Sequence, residues 1–170
     1  MEPLQIVIMG VCGSGKSTLA TLLAQRLGSA FAEADDFHSE ESISKMKAGL
    51  PLDDEDRWPW LRRLAAWMQE RTLEDRSAVV SCSALKRSYR DVLRQGSPQA
   101  IFIHLDGARH LLLERLNGRQ GHFMPQSLLD SQLAILEPFA PDERGARLEV
   151  HEPPQALVAS VLRQVERFRC

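Results

Sequence analysis

The chain has 170 residues, enough for one ordinary domain and too few for two comfortable ones, and its 44% hydrophobic and 26% charged residues are typical of a globular protein. The formal net charge of −2 excludes a global attraction to nucleic acid or to an anionic membrane, so any basic cluster must act locally. The three cysteines are irregularly spaced and indicate neither a disulfide framework nor a zinc site. Since no secretory signal and no apolar run near the ~20 residues of a membrane span is present, we expect a cytoplasmic protein.

Short apolar runs alternate with amphipathic segments along the chain. The run 5–9 ends before a glycine and is typical of a buried strand, and the leucines of 16–26 recur at helical spacing. Ser39 and Asp53 are predicted helix caps, and Pro59 is expected in the first turn of the helix after Asp53. The remaining predicted strands are 29–33, 78–82, 100–105 and 147–151, and the remaining predicted helices are about 40–49, 86–94, 109–116, 127–136 and 154–168.

This alternation predicts an α/β fold, in which a parallel sheet of about five strands is covered by helices on both faces. Ligands of such sheets bind outside the carboxyl ends of the strands. The motifs that carry chemistry all fall at that edge, so we expect a single cleft there.

The turn after the first strand, Gly10-Val-Cys-Gly-Ser-Gly-Lys-Ser17, matches the pattern of a P-loop. Its glycines let backbone N–H groups point at phosphate oxygens, and the next helix adds its positive N-terminal end. Lys16 supplies a charge for the β- and γ-phosphates, and Ser17 offers a hydroxyl to Mg²⁺. A chance glycine-rich turn is disfavoured because the required strand–turn–helix context is also predicted. The predicted nucleotide site is Gly10, Cys12, Gly13, Ser14, Gly15, Lys16, Ser17 and Thr18.

Acidic residues follow the second predicted strand, in Glu33-Ala-Asp-Asp-Phe-His38. A kinase that phosphorylates a hydroxyl needs a carboxylate to orient that hydroxyl and take its proton. Glu33 and Asp35 alternate on one side of an extended segment, and Asp35 is the candidate base. Both carboxylates are also candidates to hold magnesium through water. The alternative is a solvated acidic turn, which the neighbouring P-loop disfavours.

Basic residues occur in two further segments near the same edge. Arg57 lies among four acidic residues, and the local sequence does not choose between a surface ion pair and a clamp for a substrate carboxylate. Lys86 and Arg90 are four residues apart and are expected to share one helix face with Tyr89 beside it. That face is either solvated surface or part of a substrate site, and the spacing leaves both open.

A glycine-bearing basic segment, Arg115 to His122, predicts a mobile lid at about 117–126. Such a lid closes over the triphosphate and excludes water, which otherwise competes with the acceptor hydroxyl. Arg119 is the candidate catalytic arginine of this lid, and Arg115 is the candidate for stacking on the adenine. A basic solvent loop is the alternative.

Together these motifs resemble those of the gluconokinases, in the shikimate-kinase-like group of P-loop kinases. The resemblance extends over nearly the whole chain. It rests on the segments 9–17, 34–38, 45–46, 49–57, 59–61, 82–91 and 121–123. The sequence departs from the common pattern at Glu33, where aspartate is frequent, and at Ser39, where proline often follows the histidine.

The resemblance implies one P-loop kinase domain over 1–170, with a substrate-binding helical segment at about 36–73 and a mobile lid. It implies ATP and Mg²⁺ as cofactors, D-gluconate as the small-molecule partner, phosphorylation at its 6-hydroxyl, and a homodimer. Asp35 is then expected to approach that hydroxyl. The residues expected near the sugar acid are His38, Arg57, Lys86, Tyr89, Arg90 and His122.

Two other classes of function compete with this interpretation. One is another small-acceptor kinase, but a shikimate kinase is expected to carry a glycine triplet where this chain has Cys82-Ser-Ala-Leu85. The other is a nucleotide-binding switch without transfer chemistry, which would leave Asp35 and Arg119 without a role.

Overall fold

The computed structural model describes residues 2–118 and 126–169, which form five strands and seven α-helices. A 3₁₀ turn, Ala34–Phe37, follows the second strand. The strands are β1 (Gln5–Met9), β2 (Ala30–Glu33), β3 (Ala78–Ser81), β4 (Ile101–Asp106) and β5 (Gly145–Glu149). The helices are α1 (Lys16–Leu27), α2 (Glu40–Lys47), α3 (Asp54–Leu73), α4 (Arg87–Gly96), α5 (Arg109–Asn117), α6 (Gln126–Ile135) and α7 (Pro154–Arg169).

The strands form one sheet in the order β2-β3-β1-β4-β5, and every pair in it is parallel. The central strand β1 is buried along its whole length, which explains why it is a continuous apolar run and not an alternating one. The predicted α/β fold with a parallel sheet of about five strands is therefore confirmed. Because all strands run the same way, their carboxyl ends meet at one edge.

Two apolar cores cover the two faces of the sheet. Val7 and Met9 of β1 face a core that contains side chains of α3, α4, α5 and α6. Ile6 and Ile8 face the opposite core, which α1 and α7 complete. This alternation fixes the register of β1 and leaves its carboxyl end pointing into the loop before α1. No helix within residues 2–118 and 126–169 is long and apolar enough to cross a membrane.

Both predicted helix caps are confirmed, and the position of Pro59 is corrected. The backbone N–H of Ser42 donates to the Ser39 hydroxyl, and Asp53 and Asp56 form a reciprocal capping box. This box starts α3 at Asp54, so Pro59 lies in the second turn and not in the first. Proline has no N–H to donate to the preceding turn, but the packing of α3 on the sheet retains the helix.

Candidate active site

The loop between β1 and α1 has the backbone geometry of a phosphate site. Gly10, Gly13 and Gly15 have φ angles of 148°, 83° and 89°, which side-chain-bearing residues rarely adopt. A Cβ atom at Gly13 would lie 2.9 Å from both the Leu112 carbonyl oxygen and the Leu116 side chain. Glycine is therefore needed there for two reasons, the left-handed backbone and the close approach of α5.

Lys16 is the first residue of α1 and reaches back across the loop. Its ammonium group donates to the Val11 carbonyl oxygen at 3.0 Å. Burial lowers the pKa of Lys16, and the negative charges of Asp35 and Glu33 partly offset that effect. A cation that burial destabilises gains strongly from an anion placed beside it, so this position suits a phosphate group.

Three oxygen-bearing side chains converge beside Lys16. The Ser17 hydroxyl donates to the Glu33 carboxylate at 2.5 Å and lies 3.4 Å from the Ser81 hydroxyl. Glu33 and Ser81 are register partners at the ends of β2 and β3, which explains their proximity. Burial raises the pKa of Glu33, although the hydrogen bond from Ser17 acts in the opposite direction.

These oxygen groups are of the kind that Mg²⁺ prefers. Across residues 2–118 and 126–169, no group of three or more His, Cys, Asp or Glu side chains is arranged to hold a metal ion. A magnesium ion at Ser17 and Glu33 would thus require phosphate oxygens to complete its shell. The donor set fits an ion that arrives with a nucleotide.

Asp35 lies in the 3₁₀ turn, because β2 ends at Glu33 and the backbone is no longer extended there. Its carboxylate is 76% exposed and lies 3.8 Å from Nε2 of His38. The His38 ring stacks on Trp60 with centroids 4.1 Å apart, and the Trp60 indole donates to the Ala34 carbonyl at 2.7 Å. Trp60 therefore holds the turn that presents Asp35 at the carboxyl edge.

His38 is a neutral imidazole in this environment. Burial lowers its pKa to about 4, against the opposite effect of Asp35. Its Nδ1 atom is buried and has no hydrogen-bond partner among the described residues. A buried polar atom of this kind is costly unless a ligand or water satisfies it.

A second group of side chains, here called the α3–α4 cluster, consists of Asp54, Arg57, Lys86 and Tyr89. Arg57 donates to the Tyr89 hydroxyl oxygen at 2.9 Å, and Tyr89 in turn donates to the Asp54 carboxylate. The Lys86 ammonium lies 3.3 Å from Oδ1 of Asp54. Both cations also lie over the Tyr89 ring, at 5.3 and 5.6 Å from its centroid. The structure therefore brings together three of the predicted substrate residues and adds Asp54, which the sequence reasoning missed.

The α3–α4 cluster lies at the same sheet edge as the P-loop. Lys86 ends the loop that leaves β3, and in that loop the Ser83 carbonyl accepts a 3.3 Å hydrogen bond from the backbone N–H of Gly10. Burial and the hydrogen bond to Asp54 raise the pKa of Tyr89 to about 12, so its hydroxyl keeps its proton at neutral pH.

The predicted common face of Lys86 and Arg90 is wrong, because α4 begins one residue after Lys86 and Arg90 points into the core. Arg90 is fully buried, and its guanidinium binds the buried carboxylate of Glu143 at 2.7 and 3.0 Å. It also donates to the carbonyl oxygens of Ala84 and Leu85, at 3.0 and 3.2 Å. Arg90 thus holds the loop before Lys86 and does not line the cleft.

A cavity of about 300 Å³ adjoins the P-loop on the side of β5. Arg115 borders it and donates to the Val150 carbonyl oxygen. Apolar surface from Pro154 and Leu157 faces the same space. The other residues around the cavity are Gly13, Ser14, Gly15, Thr18, Leu19, Gly118 and Glu152. Arg115 and Thr18, both predicted to contact the nucleotide, therefore border one cavity beside the P-loop. Their contacts with the nucleotide stay predictions.

The helix α6 also reaches the P-loop, a contact that the sequence did not indicate. The side-chain oxygen of Gln132 accepts a 2.8 Å hydrogen bond from the backbone N–H of Cys12. Arg119 and His122 lie outside the described residues, together with most of the predicted lid. Their roles and the lid stay predictions.

Comparisons with known proteins agree with this geometry. The sequence profile of the family described as "Shikimate kinase" matches residues 12–135. A gluconokinase of Gluconobacter oxydans (strain 621H) is 43% identical over 166 residues, which covers 98% of this chain and 93% of that protein.

Two solved structures are also similar over nearly the whole chain. An unliganded sugar kinase from Janibacter sp. HTCC2649 has a TM-score of 0.92 and 52% identity, with 96% of this chain and 95% of that chain covered. A gluconokinase from Sinorhizobium meliloti 1021 has a TM-score of 0.86 and 45% identity, with 97% and 93% covered. The similarity therefore spans both the P-loop and the α3–α4 cluster.

Proposed function

Because the chain belongs to the gluconokinase family, within the shikimate-kinase group of P-loop kinases, we propose that it transfers the γ-phosphoryl group of ATP to the 6-hydroxyl of D-gluconate. The products are ADP and 6-phospho-D-gluconate. The observation that carries the proposal is the α3–α4 cluster, where two cations and a protonated phenol lie at the sheet edge that also carries the P-loop. Such a set suits an acceptor with a carboxylate and several hydroxyls.

ATP binds with its phosphates on the backbone N–H groups of 10–18 and its adenine in the cavity beside Arg115. Ser17 would supply an oxygen ligand for a magnesium ion, and Glu33 and Asp35 would hold that ion through water. When bound, that ion neutralises charge on the β- and γ-phosphates. Lys16 adds a positive charge at the γ-phosphate, which compensates the developing charge during transfer.

Asp35 orients the 6-hydroxyl and accepts its proton. Its carboxylate is exposed at the sheet edge, and its charge acts on the Lys16 ammonium, so acceptor and γ-phosphate meet between these two groups. Arg119, in the predicted lid, is the proposed catalytic arginine. The buried Nδ1 of His38 gains a hydrogen bond from a sugar hydroxyl, which satisfies an atom that otherwise has none within the described part of the chain.

Arg57, Lys86 and Tyr89 bind the sugar acid directly. Arg90 assists indirectly, because it holds the carbonyl groups of the loop that ends at Lys86. We place the enzyme in the cytoplasm and, as the resemblance implies, in a homodimer. Light scattering on the purified protein tests the dimer.

A coupled ADP-release assay with gluconate, shikimate, AMP and no acceptor separates this function from its alternatives. We expect turnover with gluconate alone. Turnover with shikimate and none with gluconate would instead favour the activity named in the family profile. ATP binding without turnover on any acceptor would favour a nucleotide-binding switch.

A further inference from the structure

The donors of the α3–α4 cluster already hold a carboxylate, that of Asp54. Its Oδ1 atom accepts from the Tyr89 hydroxyl and from the Lys86 ammonium, and its Oδ2 atom lies 3.4 Å from the same ammonium. Arg57 completes the group through its hydrogen bond to Tyr89. A carboxylate of the chain itself therefore lies on the donors that are proposed above to bind the sugar acid.

Asp54 is not required for the start of α3. The capping box is formed by Asp53 and Asp56, which leaves the side chain of Asp54 outside it. An acidic side chain in the first helical turn gains only a small stabilisation from the helix dipole. The main interactions of the Asp54 carboxylate are therefore those with Lys86 and Tyr89, and not those with the start of the helix.

Exposure differs between the two sides of this contact. The Asp54 side chain is 42% exposed, whereas Lys86 is 29% exposed and Tyr89 is buried. The donors are thus fixed in the protein, while the carboxylate faces solvent and can rotate away without opening the core. An exposed charge contributes little to affinity for its partner, so a competing carboxylate can replace it.

We propose that Asp54 is a specificity-determining residue whose carboxylate occupies, in the absence of acceptor, the place at Lys86 and Tyr89 that the carboxylate of the sugar acid takes. Acceptor binding is then an exchange of one carboxylate for another. A ligand that has only a carboxylate replaces the Asp54 carboxylate with an equivalent group, so the exchange gives it no gain in affinity. A polyhydroxy acid brings hydroxyl contacts in addition, and these favour the exchange. The inference rests on the proposed function and goes beyond it in naming the competing group.

The test compares the Asp54→Asn variant with the wild type in steady-state kinetics. Loss of the competing charge should lower KM for gluconate about twofold to fivefold. The kcat should stay within about twofold, because Asp54 has left the donors before transfer takes place. Propionate should become a competitive inhibitor with respect to gluconate at correspondingly lower concentration.

Glu55→Gln is the matched control, since Glu55 is an exposed carboxylate in the same helical turn. It should leave KM and propionate inhibition unchanged. Asp54→Ser repeats the test with a second neutral side chain, and thermal unfolding verifies that each variant is folded.

A raised or unchanged KM in folded Asp54→Asn and Asp54→Ser would overturn the exchange and assign Asp54 a role in holding Lys86 and Tyr89. In that case wild-type turnover of gluconate still supports the proposed function. Absence of wild-type turnover with gluconate would overturn both.

Discussion

At the scale of residues, burial and neighbouring charges have opposing effects on the ionisation of groups in the active site. Burial disfavours the charge of Lys16, and the nearby carboxylates of Asp35 and Glu33 favour it. The same burial disfavours the ionised form of Glu33. Phosphate groups would stabilise the charge of Lys16, and a divalent cation would stabilise the charge of Glu33. The site therefore favours a ligand that brings both.

Lys16→Ala removes the side-chain cation from the P-loop. We expect ATP affinity to fall by about 100-fold or more, because hydrogen bonds from charged donors are among the stronger polar interactions and the phosphates are anionic. Isothermal titration calorimetry measures this directly. Lys47→Ala removes an exposed cation from α2 and should leave ATP affinity unaltered. Unchanged binding by the Lys16 variant would refute the assignment of the loop.

Asp35→Asn keeps the size of the side chain and removes its ability to accept a proton. The expected result is a fall in kcat of about 10²-fold or more, with ATP affinity within about twofold of the wild type. The coupled assay gives kcat, and calorimetry gives the affinity. Asp36→Asn is a matched control, since Asp36 is an exposed carboxylate in the same 3₁₀ turn. Near-normal turnover of the Asp35 variant would exclude Asp35 as the base.

At the scale of elements, a buried ion-pair cluster joins α4 to the segment before β5. The Glu143 carboxylate binds Arg90 at 2.7 Å and Arg94 at 2.6 Å, and it accepts from the backbone N–H of Ala140. Burial opposes ionisation of Glu143, but these hydrogen bonds outweigh it and lower its pKa to about 2. Because Arg90 also holds the loop before Lys86, this buried ion-pair cluster both stabilises the core and positions that loop beside the cleft.

This cluster predicts a specific loss of stability in acid. A carboxyl group with a lowered folded pKa contributes stability that is present above its unfolded value and disappears as the pH falls through the folded value. For Glu143 that window runs from about 4.5 down to about 2. Glu143→Gln should cost about 3–5 kcal/mol at pH 7, because it leaves the buried Arg90 and the half-buried Arg94 without their anion.

Urea unfolding of the wild type and of Glu143→Gln between pH 2 and 7 measures both effects. The variant should show a weaker pH dependence within the window of Glu143. Glu137→Gln offers a comparison, since Glu137 accepts from the backbone N–H of Arg87 at a more exposed position. Equal pH dependence in the wild type and the Glu143 variant would contradict the role of the cluster.

Local chemistry explains why most elements were predictable and Arg90 was not. Ser39 and Asp53 cap helices through residues three positions away, so a short window of sequence contains the whole interaction. Arg90 and Glu143 are 53 positions apart. Spacing alone indicates that Lys86 and Arg90 share a helix, but not where the helix begins or which side faces the core.

In the active site too, the sequence indicates contiguous motifs but not contacts between residues that are far apart in the chain. The P-loop is a contiguous motif, and its glycines, Lys16 and Ser17 are recognisable without any tertiary information. Ser81 and Asp54 carry no motif of their own. Ser81 lies near Ser17 because β3 pairs with β1, the strand before the P-loop. Asp54 reaches Tyr89 through the packing of α3 on α4. Only the assembled sheet and its helices bring these groups together.

At the scale of the whole molecule, the P-loop is held by the two helices that flank the predicted lid. Gly13 packs against Leu112 and Leu116 of α5, and the N–H of Cys12 donates to Gln132 of α6, 120 positions along the chain. Nucleotide that orders the P-loop should therefore also order both helices, since each has a direct contact with it.

Hydrogen exchange measures this coupling. With a nonhydrolysable ATP analogue bound, we expect slower amide exchange in both α5 and α6 of the wild type. Gln132→Leu removes the acceptor for the N–H of Cys12, so α6 should lose much of its added protection while α5 keeps its own through Leu116. Gln126→Leu changes an exposed residue of the same helix and should behave as the wild type. Equal added protection of α6 in the Gln132 variant would show that this hydrogen bond does not transmit nucleotide binding to α6.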